Sequence, residues 1–121
     1  MAVASQGWHE DADALSRETK ELHRGIVSLI EELEAVDWYQ QRVDATSDPE
    51  LREVLAHNLE EEVEHACMTL EWIRRRHEAF DRELRRILFR EGSIVASGDG
   101  PARVRDEDAS LRLGRLPLGS G

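Results

Sequence analysis

The sequence has one cysteine, three prolines and only 5% aromatic residues. Cys67 alone cannot close a disulfide within the chain, so stability must come from packing, from metal or from association with other chains, and a reducing compartment fits. No segment approaches the roughly 18 consecutive apolar residues of a membrane span. The opening residues, Met1 to His9, lack the basic start and apolar run of a secretory signal, so a soluble cytoplasmic protein is expected. Basic residues are scarce relative to acids, 16 against 26, and the formal charge of −10 argues against nucleic acid or anionic membrane as a partner. With 121 residues the chain forms one small domain, not a multidomain enzyme.

Alternation of the kind that marks strands is also missing. What is present has the period of a helix. From Asp13 to about Asp44, the residues Leu15, Leu22, Ile26, Leu29, Leu33 and Val36 recur at steps of mostly three and four, which predicts one helix. Residues 45–48 break the pattern, and Asp48, Pro49 and Glu50 then supply an N-cap, a proline suited to the first helical position and a first-turn acid. Leu51, Leu55, Leu59, Ala66, Leu70, Ile73, Phe80, Leu84 and Ile87 predict a second helix that keeps phase until Gly92. The short link makes the two helices antiparallel neighbours. A helix from Pro49 to Glu91 would be about 65 Å long at 1.5 Å per residue, so its overhanging end must bend back or pack on another chain. Residues 1–12 read as a flexible N-terminus, 13–91 as the helical domain, and 92–121, rich in glycine and proline, as a flexible tail. The fold class is all-α. A lone two-helix hairpin encloses too little volume for a substantial core, so dimerisation into a four-helix bundle is expected.

Most of the glutamates need only a solvated face, but Glu62 does not fit that description. Seven residues beyond Leu55, it projects within about 20° of that side chain, amid Leu51, Leu59, Ala66 and Ile73. An unpaired ionised carboxylate there would cost several kcal/mol, so Glu62 must be neutral, paired with an arginine such as Arg24, or bound to a cation. His65 lies one turn further on, completing a Glu-x-x-His pair, and Glu32 lies one turn from Leu29 and Val36 at the edge of the apolar face of the first helix. With 17 glutamates and five histidines, about 0.7 such pairs would arise by chance, so the placement matters more than the motif. An inward glutamate from one helix and Glu-x-x-His from another make half of the di-iron site of ferritin-like bundles, and a two-fold dimer would supply the other half. Two copies each of Glu32 and Glu62 bring four negative charges, which balance two ferrous ions. His57, Glu61 and Glu64 line an outer ridge able to bind other divalent cations loosely, and Glu31 and Glu34 lie outside the first helix near Trp38; either cluster could equally be a solvated acidic face. Tyr39, two turns beyond Glu32, could hydrogen-bond to a ligand, be oxidised, or simply pack. Cys67, Met68, Trp72 and the run Arg74 to Arg76 read as structural.

Together, Glu31-Glu32-Leu33-Glu34-Ala35-Val36-Asp37-Trp38-Tyr39, Asp48-Pro49-Glu50-Leu51, Leu55-Ala56-His57-Asn58 and Glu61-Glu62-Val63-Glu64-His65-Ala66 resemble the encapsulated ferritins over most of residues 15–91. The resemblance implies a helical hairpin with a further short C-terminal helix and a break near Arg75. It also implies a dimer-interface ferroxidase centre that oxidises Fe(II) with dioxygen, and dimers arranged in a decameric ring. By position Glu32, Glu62 and His65 would hold iron with Tyr39 beside them, Glu31, Glu34 and Trp38 would mark the region where metal enters, and His57, Glu61 and Glu64 a secondary site. The tail segment Leu111-Arg112-Leu113-Gly114-Arg115-Leu116, within residues 111–118, is similar to the peptides that dock cargo inside encapsulin shells, with Leu113 and Arg115 departing from the usual residues. Two rivals use the same residues: a non-catalytic dimeric helical adaptor, and a different di-metal oxidase or peroxidase, since these ligands do not separate iron from manganese or zinc.

Overall fold

The computed structural model describes residues 7–99, which hold four α-helices preceded by a single 3-10 turn, and no strand among the described residues. The tail peptide at residues 111–118 lies outside the described residues. Helix α1 spans Arg17–Ala45, α2 Pro49–Arg76, α3 Glu78–Ile87 and α4 Ile94–Asp99. The chain divides after Arg76 into two compact units.

In the first unit, α1 begins at Arg17 rather than at Asp13 because Ser16 caps it. The Ser16 Oγ accepts from the Thr19 amide at 3.1 Å, and the preceding 3-10 turn, Ala12–Ala14, is closed by its own cap at Asp11. At the far end the Thr46 amide donates to the Arg42 carbonyl at 3.0 Å, and Asp48 opens the next helix. The Asp48 carboxylate accepts from the Glu50 amide at 3.0 Å and the Leu51 amide at 3.3 Å, a cap that typically contributes about 1 kcal/mol. Arg52 reaches back from α2, donating from Nε to the Val43 carbonyl at 3.1 Å and from Nη2 to the Thr46 carbonyl. These bonds satisfy carbonyls that the end of α1 leaves unpaired and hold the two helices antiparallel.

Packing between α1 and α2 is narrow. Among the described residues the buried apolar side chains are Ala66 and Ile73, the latter only 1% exposed. The close approach of α1 to the far end of α2 occurs at Gly25, where a Cβ would lie 2.6 Å from the Trp72 ring and 3.6 Å from Ile73. That contact fixes the register of the hairpin, with residue 25 of α1 level with residue 72 of α2.

The uninterrupted second helix expected from the periodicity is not what forms. Helix α2 stops at Arg76, and His77 leaves the helical region (φ −130°, ψ 107°) to become the N-cap of α3, its ring Nδ1 accepting from the Phe80 amide at 3.3 Å. Because a helix can restart in nearly the same phase after one non-helical residue, the apolar spacing through Phe80, Leu84 and Ile87 conceals the interruption. At 29 and 28 residues α1 and α2 are equal partners of about 40 Å, so the expected overhang disappears. The second unit begins at His77: α3 ends where the Leu88 amide donates to the Leu84 carbonyl, Gly92 takes a positive φ of 85°, and α4 packs with α3.

Three arginines close α2, where positive charge is favoured by the helix dipole. Arg74 and Arg75 each donate to Glu71 at 2.7 Å, and Arg76 lies over the Trp72 ring at 4.7 Å. Hydrogen bonding from Arg74, then from Arg75, holds the Glu71 carboxyl at about 2 instead of 4.5. Since the folded value lies below the ordinary one, the stabilisation is complete above pH 4.5 and is lost as the pH falls toward 2. The carboxylate is 41% exposed, so solvent screening limits the contribution to about 0.5 kcal/mol. Glu71→Gln should therefore remove a small acid-dependent part of helix loss between those pH values, followed by circular dichroism; an unchanged acid profile would contradict the assignment.

Candidate metal centre

The register set at Gly25 and Trp72 determines what stands beside what further along the hairpin. Seven residues onward in α1 is Glu32, and seven residues back in α2 is His65; the antiparallel arrangement carries both about 10 Å in the same direction, to the same level. Glu62 lies one turn from His65 on α2. The residues singled out from two separate stretches of sequence therefore share one layer of the hairpin.

All three side chains are partly withdrawn from solvent. Glu62 is half-buried, 26% exposed, and its Oε1 lies 3.6 Å from Nδ1 of His65, itself half-buried. That separation is long for a hydrogen bond. It is close to what two ligand atoms about 2.1 Å from one cation would show. Glu32 is half-buried as well, and its Oε1 is a buried acceptor with no hydrogen-bond partner. An acceptor in that state costs about 1–3 kcal/mol unless something electropositive reaches it. Arg24 does not pair with Glu62: it donates to Glu21 at 3.1 Å, and the neighbour of Glu62 is His65. Among the described residues no three His, Cys, Asp or Glu side chains of the single chain converge to hold a metal ion.

The outer candidates are arranged differently. His57 and Glu61 are exposed and approach at 3.2 Å, Nε2 to Oε2, whereas Glu64 lies further along the ridge, lining a shallow groove with Cys67 and Trp72. Glu31 and Trp38 are exposed on α1, and Glu34 is half-buried. Tyr39 is half-buried, with the Arg42 guanidinium 5.5 Å from its ring centroid. Two features escaped the sequence reading. One is the Gly25–Trp72 contact, signalled only by a glycine inside a helix; the other is the packing of Trp8 against His23, ring centroids 4.4 Å apart, from a stretch read as flexible.

One flank of the hairpin contains the proposed layer. Glu21, Arg24, Gly25 and Ser28 of α1 and Met68, Thr69 and Trp72 of α2 line an open groove of about 420 Å³. One turn from Ser28 and from Thr69, the same flank continues to Glu32 and His65.

A family model described as EncFtn-like matches residues 7–91. The chain is 57% identical over 128 aligned positions to an encapsulated ferritin-like protein of Rhodospirillum rubrum, covering 96% of this chain and 91% of that protein. It is 45% identical over 88 residues to a ferritin-like protein of Thermotoga maritima, covering 73% of this chain and 77% of the relative. The crystal structure of a Nitrosomonas europaea protein superposes with a TM-score of 0.70 at 57% identity, covering 73% of this chain and 97% of that one. The chain, all-helical among the described residues, is thus of the ferritin-like class. The chain belongs to the EncFtn-like family, the encapsulated ferritins.

The unpartnered oxygen of Glu32 leads to a test without metal. In chelator-treated protein, Glu32→Leu should leave thermal stability unchanged or raise it, by up to about 3 kcal/mol, the cost of leaving a buried acceptor unpaired. A clear loss in thermal denaturation would show that Glu32 serves the fold.

Proposed function

We propose that the chain is a ferroxidase, taking Fe(II) and dioxygen as substrates at a site shared by two copies. The observation that carries this reading is the layer in which Glu62 Oε1 and His65 Nδ1 stand 3.6 Å apart at the level of Glu32, whose Oε1 is buried without a partner. Carboxylate oxygen and imidazole nitrogen suit ferrous iron, and family membership supports an iron-related role. One hairpin supplies two carboxylates and one imidazole. A second hairpin across a two-fold axis doubles the set, and four carboxylates then neutralise two Fe(II).

In this reading Glu32 and Glu62 bind iron and balance its charge, while His65 completes each set through Nδ1. Iron supplies the redox chemistry, and dioxygen takes two electrons from two Fe(II) together with two protons, leaving two Fe(III) and hydrogen peroxide. The chain supplies fixed charge, geometry and restricted access. Tyr39 stands two turns from Glu32, within the same flank. Glu31, Glu34 and Trp38 would attract cations toward the site, and His57, Glu61 and Glu64 would hold them loosely outside it.

The partner in this account is first a second copy of the chain, with dimers joining in a decameric ring, and then an encapsulin shell in the cytoplasm bound through residues 111–118. The 57% identical relative carries the description encapsulated, which supports the shell assignment. Many tethered copies would add avidity to a weak peptide.

Anaerobic Fe(II) should tighten self-association in sedimentation experiments, and air should then produce ferric absorbance. Both effects should be lost in Glu32→Ala and in Glu62→Ala; variants that oxidise Fe(II) like the unmutated protein would show that the proposed site is wrong. Removing residues 111–121 should abolish loading into encapsulin shells while oxidation persists, and unchanged loading would refute the tail assignment.

A further inference from the structure

Helix α2 leaves large apolar side chains in water on the flank that carries Glu62 and His65. Leu51, Val54 and Met68 are 45%, 52% and 57% exposed. Eighteen residues, or five full turns, separate Val54 from Trp72, so both side chains leave α2 in the same direction, and His65 between them lies within about 20° of each. Leu51 stands one turn before Val54. Trp72 is a fixed wall of the groove it lines with Met68: Gly25 meets one edge of its ring, and the Arg76 guanidinium lies 4.7 Å from the ring centroid.

A second hairpin set against this flank can be turned in two ways that both bring the layers of Glu32, Glu62 and His65 together. About a two-fold axis parallel to the helices, every level meets the same level of the copy, and groove faces groove. Two hollows of about 420 Å³ would then adjoin, against the close packing of interface cores. About an axis across the helices, each level meets the one equally far beyond the axis. Val54 and Trp72 stand nine residues, about 14 Å, to either side of Val63, whose level is between those of Glu62 and His65. An axis at that level sets Val54 of one copy against Trp72 of the other. The same turn sets Asn58 against Met68, and Glu61 against His65, acid against imidazole.

We propose that Val54, with Leu51 beside it, docks in the Met68–Trp72 groove of a second copy, so that the two hairpins of the dimer lie end for end about an axis perpendicular to their helices. This rests on the two-copy reading of the site and adds to it the contact and the orientation. The occupant is a second copy because groove, apolar pair and layer share one flank, and the rotation that fills the groove also completes the layer. Each docking contact occurs twice per dimer, once at either end of the shared site.

The test is disulfide trapping in the full chain carrying Cys67→Ser, with Mn(II) present and diamide as the thiol oxidant. Asn58→Cys and Met68→Cys are combined in one chain; ten residues, about 15 Å, separate them along α2, beyond the reach of a disulfide within the chain. End-for-end docking predicts a covalent dimer linked from position 58 to position 68, identified by mass spectrometry of the joined peptides. A side-by-side dimer would leave those positions apart and instead join Ser28→Cys copies to Met68→Cys copies when the two single variants are mixed; that result refutes the docking. In sedimentation, Val54→Ser should raise the dimer dissociation constant at least about 10-fold with helix content retained, because two apolar contacts are lost per dimer. An unchanged constant would also overturn the proposal. Failure of the site reading looks different: a link from 58 to 68 in a chain whose Fe(II) oxidation survives Glu62→Ala would keep the docking and remove the ferroxidase centre. A chain that stays monomeric with Mn(II) removes both.

Discussion

Two helices packed side by side shield only the strip along which they touch. In this chain the strip is narrow, centred on Ala66 and Ile73, with the Trp72 ring lying against the backbone at Gly25. Side chains beside it are covered only in part: Leu33 is 53% exposed, and Glu32, Glu62 and His65 are half-buried. The hairpin can therefore bring carboxylates partly out of water but cannot enclose them. A half-enclosed carboxylate layer has two ways to become stable, a counter-charge and a cover, and in the proposed dimer the same event supplies both.

That constraint ties the remaining features together. The Asp48 cap and the Arg52 bonds across the link determine how α1 and α2 are joined, while the Gly25–Trp72 contact sets how far one slides along the other. A shift of one residue along either helix would turn Glu32, Glu62 or His65 by about 100° and move it about 1.5 Å. Features at both ends of the hairpin thus set the level of Glu32, Glu62 and His65 near its middle, and matched helix lengths keep that layer away from either end.

Much of this was legible in the sequence, for identifiable reasons. Asp48-Pro49-Glu50 marks the start of α2 because each residue solves a different problem at a helix N-terminus. Glu62 stands out because a carboxylate interrupts a stripe whose period is otherwise maintained. The interruption at His77 was not legible from spacing, since one non-helical residue barely disturbs a 3.6-residue pattern and histidine is not a usual capping residue. The register was not legible either, because it depends on the size of a ring meeting a bare backbone. The relative depth of Glu32 follows from that register: placed by periodicity at the edge of the apolar face, it has a carboxylate oxygen fully removed from solvent. The pairing of Arg24 with Glu21 in preference to Glu62 is a local one-turn contact that helical spacing permits but does not select.

The central claim is that ligands from two copies converge on iron. Diffraction from crystals grown with Fe(II), with anomalous data collected at the iron edge, addresses it most directly. The account predicts a pair of iron peaks related by a two-fold axis, with Glu32, Glu62 and His65 reaching them from both protomers. Glu62 directed into bulk solvent, with no iron peak near it or near Glu32, would contradict it.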